Sequence, residues 1–296
     1  MKKLEPVSTH TNLPHNINNT MNDTEFHVFD SAGISNSKEY QQRIIIREVW
    51  NYNLEEEMEH IRALVEHYPY IAMDTEFPGV VTAGLSGRGK DYQYQTIRAN
   101  VDLMKLIQFG IALADENGNC CNDGCTCWQF NFKFDLGVDT FNQDSITLLQ
   151  KSGINFDNIA LYGIEINKFS ELLMMSGLVL NENVKWITFH SSYDFGYLLK
   201  TLTCAPLPEN ENEFLDGLKL YFPNIFDVKY MMTTKKLYGG LSAVAETLQV
   251  DRVGEMHQAG SDSLLTLEVF FALINKYFDG ICDVRFKGIL HGLGQS

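Results

Sequence analysis

From residue 43 onward the chain alternates short apolar runs with amphipathic stretches, and each change of period marks a predicted element. Ile44-Ile45-Ile46 leads into Trp50, after which Asn53 stands as a predicted N-cap. Leu54, Met58, Ile61 and Val65 then fall at helical spacing. Glu55, Glu56 and Glu57 occupy the first turn of that helix, where its dipole favours acids. Tyr68 to Phe77 reads as a buried strand, Val101 to Leu113 as a second long strand, and Trp128 to Phe134 as a third that alternates aromatic with polar residues. Residues 141–177 read as helical in pieces, with Ile166 to Met175 the clearest. Val184 to Phe189 follows as a strand, Tyr193 to Leu202 as a helix and Ile225 to Val228 as a short strand. Leu241 to Leu248 and the strongly apolar Leu264 to Phe278 complete the pattern as helices. Strands come early and helices follow, with later alternation, so the expected fold class is α/β, a mixed β-sheet flanked by helices.

Residues 1–42 differ from this. They are rich in Asn, Ser, Thr and His without a sustained apolar period, and read as a flexible N-terminal tail. With no repeat or linker beyond them, residues 43–296 read as a single domain. No apolar run approaches the ~18 residues of a membrane span, and Met1-Lys2-Lys3 is not followed by the apolar core of a signal peptide. The six cysteines form no spaced disulfide framework, which points to reduced thiols in a cytoplasmic or nuclear protein.

Charge narrows the function. Against 38 acidic residues there are 23 Lys and Arg, a formal charge of -15. That excludes a generic basic nucleic-acid coat. It leaves open an enzyme that grips nucleic acid through bound cations, because divalent metal inverts the field of a carboxylate-rich site.

Candidate carboxylates exist. Asp74 and Glu76 stand at positions i and i+2 near the end of an apolar strand, so both project from one face. Close carboxylates repel, and without a cation one of them is forced to protonate. The same four letters occur earlier, as Asp23-Thr24-Glu25-Phe26, after a polar stretch; only the second copy follows a hydrophobic strand and precedes Pro78-Gly79. Asp194 opens a helix after another strand, with Ser191 as an N-cap candidate, and could serve there only as a helix-start acid. Further on, Gly260 argues against a continuous helix from His257 to Asp262. His257 is therefore expected on a loop and Asp262 in the first turn of the last long helix.

An Asp-x-Glu on a strand, an Asp after Tyr at a helix start and a late His-x4-Asp occur in that order. This pattern resembles the DEDD exonucleases with histidine in the third motif, which have an RNase H-like fold. Ile71 to Val81, Asp91 to Gln95, Asn100 to Leu103, Trp128 to Phe132, Phe189 to Ser191, Tyr193 to Tyr197 and His257 to Asp262 are similar, within that group, to the Caf-type deadenylase subunit of the Ccr–Not complex. The resemblance runs from about Ile46 to Gly294. It implies 3′-to-5′ removal of poly(A) tails from mRNA with release of AMP, promoting mRNA decay and translational repression. It also implies that Asp74, Glu76, Asp194 and Asp262 bind two divalent cations, Mg2+ or Mn2+, with His257 as general base. Two metals ~3.5–4 Å apart suit an in-line displacement, and four acids would offset their charge. Candidate contacts to the 3′ nucleotides, by position, are Phe77, Tyr92, Gln93, Gln95 and His190, with the surrounding Tyr92 to Gln95 and His190 to Tyr193 segments. Implied partners are poly(A) RNA, the Not scaffold, the partner nuclease with leucine-rich repeats and BTG/Tob-type regulators, with no membrane.

Other motifs compete. Cys120, Cys121, Cys125 and Cys127 invite a zinc reading, but structural zinc ligands come as spaced pairs from separate knuckles. Asn122-Asp123-Gly124 reads instead as a hairpin turn in a reduced surface loop. Gly84 to Lys90 matches the first seven letters of a phosphate-binding loop, yet Asp91 replaces the hydroxyl that holds magnesium, and Asp91-Tyr92-Gln93-Tyr94 is a poor helix opening. Arg88 and Lys90 remain possible phosphate contacts. The alternatives to a deadenylase are a general 3′-5′ exonuclease and a subunit that mainly binds partners.

Overall fold

The computed structural model describes residues 26–28, 45–82, 91–121 and 125–294. Its centre is a seven-stranded sheet in the order β1-β2-β5-β4-β3-β6-β7. The strands are β1 Phe26–Val28, β2 Ile45–Val49, β3 Tyr70–Glu76, β4 Gln108–Ala114, β5 Cys125–Asn131, β6 Lys185–Thr188 and β7 Ile225–Asp227. β3 pairs antiparallel with β4, and β4 with β5; β2 runs parallel to β5, and β6 parallel to both β3 and β7. The helices are α1 Leu54–Leu64, α2 Tyr92–Leu103, α3 Gln143–Lys151, α4 Phe156–Tyr162, α5 Ile166–Met175, α6 Ser192–Thr203, α7 Glu211–Tyr221, α8 Val228–Thr234, α9 Leu241–Leu248 and α10 Ala259–Tyr277. None of the described helices is long and apolar enough to cross a membrane.

Side-chain alternation assigns the two faces of the sheet. On β3, Ile71 and Met73 join a core built with α1, α2, α5, α6 and α7, while Tyr70 and Ala72 join a second core with α8, α9 and α10. Asp74 and Glu76 continue the Tyr70–Ala72 row, so strand parity turns both toward the α10 side. A third cluster, including Ile107, Phe134, Ile146 and Ile159, seats α3 and α4.

Several expectations change. The run Val101 to Leu113, read as one strand, is the end of α2 followed by β4. Tyr94, Ile97 and Val101 are buried at helical spacing, and the Lys200 ammonium donates to the carbonyls of Val101, Asp102 and Met104 to close that helix. Asp91-Tyr92-Gln93-Tyr94, read as a poor opening, is where α2 begins. Helices α7 and α8 were not expected, and α10 starts five residues before Leu264. Glu57 keeps its first-turn place in α1 and takes on a second role. It is buried, and accepts from the Trp128 indole at 2.9 Å and pairs with Arg47 at 3.2 Å. Cys121 and Cys127 are not on a surface loop: both are buried, and the Cys127 thiol donates to the Gly260 carbonyl at 3.0 Å. Within the expected tail, β1 pairs antiparallel with β2 and uses Phe26 of the first Asp-Thr-Glu-Phe copy. Residues 1–25 and 29–44 lie outside the described residues, as do the Gly84 to Lys90 motif and Asn122-Asp123-Gly124.

Close backbone approach sets the position of α10. Gly110 of β4 pairs with Asp74, and a Cβ there would stand 2.0 Å from the Ala259 carbonyl oxygen. A Cβ on Gly260 would stand 2.8 Å from Ile46. Gly260 is thus inside α10 because the helix lies on the sheet, and does not break the helix as its sequence context suggested. Gly110→Ala should push the start of α10 off the sheet, at an overpacking cost of about 1–3 kcal/mol. The expected outcome is a melting midpoint lowered by several degrees, with turnover lost out of proportion to stability; a variant as stable and active as wild type would contradict this seating.

Candidate active site

Four elements converge at the carboxyl end of β3. Asp74 and Glu76 come from the strand itself, Asp194 from the first turn of α6, and Asp262 from the first turn of α10. His257 precedes α10 on a loop, with a left-handed φ of 64°. Ligand atoms of Glu76, His257 and Asp262 lie within 4.8 Å of one another, the one such grouping among the described residues. Asp74 and Asp194 belong to the same electrostatic cluster.

Ser191 does sit at the N-cap of α6, but its hydroxyl donates to Thr188 Oγ1 at 2.6 Å. Asp194 likewise does not cap its helix. Its Oδ1 accepts from Thr75 N at 3.0 Å and Thr75 Oγ1 at 2.7 Å. The residue between the two strand acids therefore anchors the third acid. Asp262 is held by Arg252, which donates to Oδ1, and by the His257 backbone N–H, which donates to Oδ2 at 3.0 Å. Sequence reading missed both Thr75 and Arg252; Arg252 was legible only as a cation a few residues before His257.

Burial and repulsion shape the titration of this group. Desolvation, then Asp194, Asp262 and Glu76, raise the Asp74 carboxyl well above its usual range, with Arg252 opposing. Glu76 is pushed up to about 8 by desolvation and by Asp262 and Asp194. Burial raises Asp194 to about 6 despite the Thr75 hydrogen bonds. The donor set is hard oxygen from carboxylates beside one imidazole, which fits Mg2+ or Mn2+ better than a soft metal. Glu76 and Asp262, with His257 beside them, have ligand atoms close enough together to hold such an ion.

Two cavities flank the acids. One, of about 460 Å³, is lined by Asp74, Phe189, Arg252, Met256, His257 and Asp262 among others. The other, of about 510 Å³, is lined by Phe77, Tyr92, Gln93, His190, Tyr193 and Asp194 among others. Phe77 and Tyr193 stack at 5.2 Å, giving that cavity an aromatic wall. Ser192 also lines it, and its Oγ is buried without a partner. Of the residues expected to contact nucleotides, Phe77, Tyr92, Gln93 and His190 meet here. Gln95 does not: its side chain donates to the Glu209 carbonyl at 2.7 Å and ties α2 to the segment before α7. His190 has φ 62°, and its N–H donates to the buried Asp227 carboxylate at 2.9 Å, which also accepts from His291 N. Asp227 and His291 had no sequence signal.

The raised carboxyl groups make metal-free stability depend on pH. A carboxyl with a raised folded-state pKa contributes stability in full below its unfolded value near ~4, and loses it as pH rises through the folded value. Across pH 5 to 9 in chelator, Asp194 and then Glu76 should therefore lower the melting midpoint. Glu76→Gln should flatten the part of that fall near pH 8, and Mn2+ should raise the midpoint more at pH 8 than at pH 6. A wild-type midpoint that rises with pH, or a Glu76→Gln curve parallel to it, would contradict the crowding.

A family model described as CAF1 family ribonuclease matches residues 49–172 and 165–270. Poly(A) ribonuclease pop2 of Schizosaccharomyces pombe is 52% identical over 254 residues, covering 85% of this chain and 76% of that protein. The probable CCR4-associated factor 1 homolog 7 of Arabidopsis thaliana is 51% identical over 259 residues, covering 85% and 94%. The solved structure of S. pombe Pop2p in its Mg2+- and Mn2+-bound form superposes with a TM-score of 0.82 at 51% identity, over 84% of this chain and 99% of that one. CAF1 co-crystallised with the yeast NOT1 MIF4G domain corresponds to a match with a TM-score of 0.71 at 36% identity, over 83% and 96%. With its acids, histidine and mixed sheet in this arrangement, the chain belongs to the CAF1 family of ribonucleases.

Proposed function

We propose that this chain is a 3′-to-5′ poly(A) exoribonuclease that shortens mRNA tails and releases AMP. The observation that carries the reading is the partly buried carboxylate cluster at the end of β3, with His257 within reach and an aromatic cavity beside Asp194. The likeness to a poly(A) ribonuclease over most of the chain supports the substrate.

In this reading Asp74, Glu76, Asp194 and Asp262 hold two divalent ions. When bound, such ions polarise the phosphate and lower the pKa of attacking water. His257 Nδ1 or Nε2 takes the proton of that water. Asp262 fixes the loop by accepting the His257 N–H, so base and carboxylate keep one spacing. Phe77 and Tyr193 offer a face on which the terminal base can stack, and His190 offers a polar contact to its ribose or edge. The acids touch only phosphate and ribose, so preference for adenine must come from that cavity.

Docking on a Not scaffold is part of the proposal, supported by the likeness to CAF1 co-crystallised with the NOT1 MIF4G domain. Association with a leucine-rich-repeat nuclease and BTG/Tob-type regulators follows from the family resemblance, and the cysteine usage supports action in the cytoplasm or nucleus.

The test is degradation of 5′-labelled RNA ending in a run of A, beside matched runs of U and C and a DNA version. Stepwise shortening from the 3′ end is expected, fastest on A, slowing at mixed sequence and weak on DNA. Equal rates on every substrate would favour a general exonuclease, and no degradation with Mg2+ or Mn2+ would favour a binding subunit.

The same assay separates the roles of the site residues. Asp74→Ala or Asp262→Ala should abolish cleavage with the fold retained. His257→Ala should lower turnover by roughly 10²–10⁴-fold with metal affinity largely preserved. Metal binding lost as fully as in Asp262→Ala would instead make His257 a ligand.

A further inference from the structure

We infer that Glu48 is a positioning residue of the active site, acting through a relay of buried amides on the loop that carries His257. The inference rests on His257 being the general base. Glu48 lies on β2, separated from the acids of β3 by the two strands β5 and β4.

The first N–H groups of a helix have no partner within it. In α10 the N-cap residue Gln258 makes no side-chain capping bond. Instead the sheet caps the helix: Ala259 N donates to Gln108 Oε1 at 3.3 Å, and Gly260 N donates to Gln129 Oε1 at 2.8 Å. Both glutamines are buried, as is Asn131.

Each amide that accepts from the helix must send its NH2 elsewhere. Gln129 Nε2 donates to Glu48 Oε1 at 2.8 Å. Gln108 Nε2 donates to Asn131 Oδ1 at 2.8 Å, and Asn131 Nδ2 donates to Glu48 Oε2 at 2.7 Å. Two routes thus run from adjacent N–H groups of α10 to the two oxygens of one carboxylate. An ionised carboxylate only accepts, whereas a helix N-terminus only donates. The ends therefore dictate the direction of every amide between them. Gln258 Oε1 accepts from Gln129 Nε2 at 2.8 Å and from Gln108 Nε2 at 3.2 Å. Its own NH2 donates to the Ser152 carbonyl at 2.8 Å, while Ser152 Oγ donates to the His257 carbonyl at 3.0 Å. The loop is gripped at the His257 carbonyl and at Gln258, beside the left-handed φ of His257 noted above.

Glu48→Gln keeps the shape but leaves one acceptor where two NH2 groups need one, so the relay loses its direction. A misplacement of ~1 Å at a reacting group can cost about 10²-fold in rate. The experiment measures kcat and KM on an A-tailed RNA in saturating Mg2+, with melting midpoints recorded. Glu48→Gln should lower kcat at least about tenfold with KM within about twofold. The swap Glu48→Gln with Gln129→Glu returns an acceptor-only group to the relay, still able to cap Gly260, and should recover most of the loss. On a His257→Ala background the Glu48→Gln effect should shrink to less than about twofold, because it acts through that residue. Wild-type kcat in Glu48→Gln, a swap no better than the single variant, or an undiminished loss on the His257→Ala background would each overturn the proposal. If Glu48→Gln does not fold, the swap is still expected to fold, and an unfolded swap also counts against it. Unchanged turnover in His257→Ala alone would instead overturn the base assignment on which the proposal rests.

Discussion

Repulsion among Asp74, Glu76, Asp194 and Asp262 is the constraint around which this molecule is arranged. Desolvation raises three of these carboxyl groups, and mutual charge adds to it for Asp74 and Glu76, so the cluster is costly until cations or protons offset it. The fold bears that cost by drawing the acids from three elements, β3, α6 and α10, and anchoring them there. Thr75 ties Asp194 to the strand, Arg252 pairs with Asp262, and the pairing of β3 with β4 fixes Asp74 opposite Gly110. A site held this firmly before any cation arrives is suited to chemistry that needs two charges at a set spacing.

The placement of α10 follows from the same demand. Its first turn must bring Asp262 to the end of β3, so the helix lies against β4 and β5 at a distance only Gly110 and Gly260 permit. Lying there, its N–H groups meet the sheet and not solvent, which is why glutamine and asparagine side chains project from strands that would otherwise be apolar. Catalytic geometry and core composition are thus coupled through one helix end.

Much of this was legible because local pattern and site chemistry coincide. The strand before Asp74, the helix starts near Asp194 and Asp262, and the loop position of His257 follow from apolar period and punctuation. What was missed depends on contacts between elements distant in sequence. The period of Val101 to Leu113 concealed a helix end, since a helical stripe and a strand share apolar letters and only the Lys200 ammonium marks the boundary. Thr75 and Asp227 look like ordinary strand residues until Asp194 and His190 are brought to them. Gln95 was grouped with Tyr92 and Gln93 by position, but helix periodicity turns it toward Glu209.

The most direct test of the central constraint is calorimetry of Mn2+ binding to the full chain at pH 7, repeated in buffers of different ionisation enthalpy. Glu76, held up to about 8, carries a proton at that pH in the absence of cations, and burial with the neighbouring acids raises Asp74 in the same direction. Binding should therefore show two ions per chain and a net release of protons, seen as a heat that varies with the buffer. Tight binding with a buffer-independent heat would mean that the acids are already ionised, and would contradict a cluster defined by repulsion.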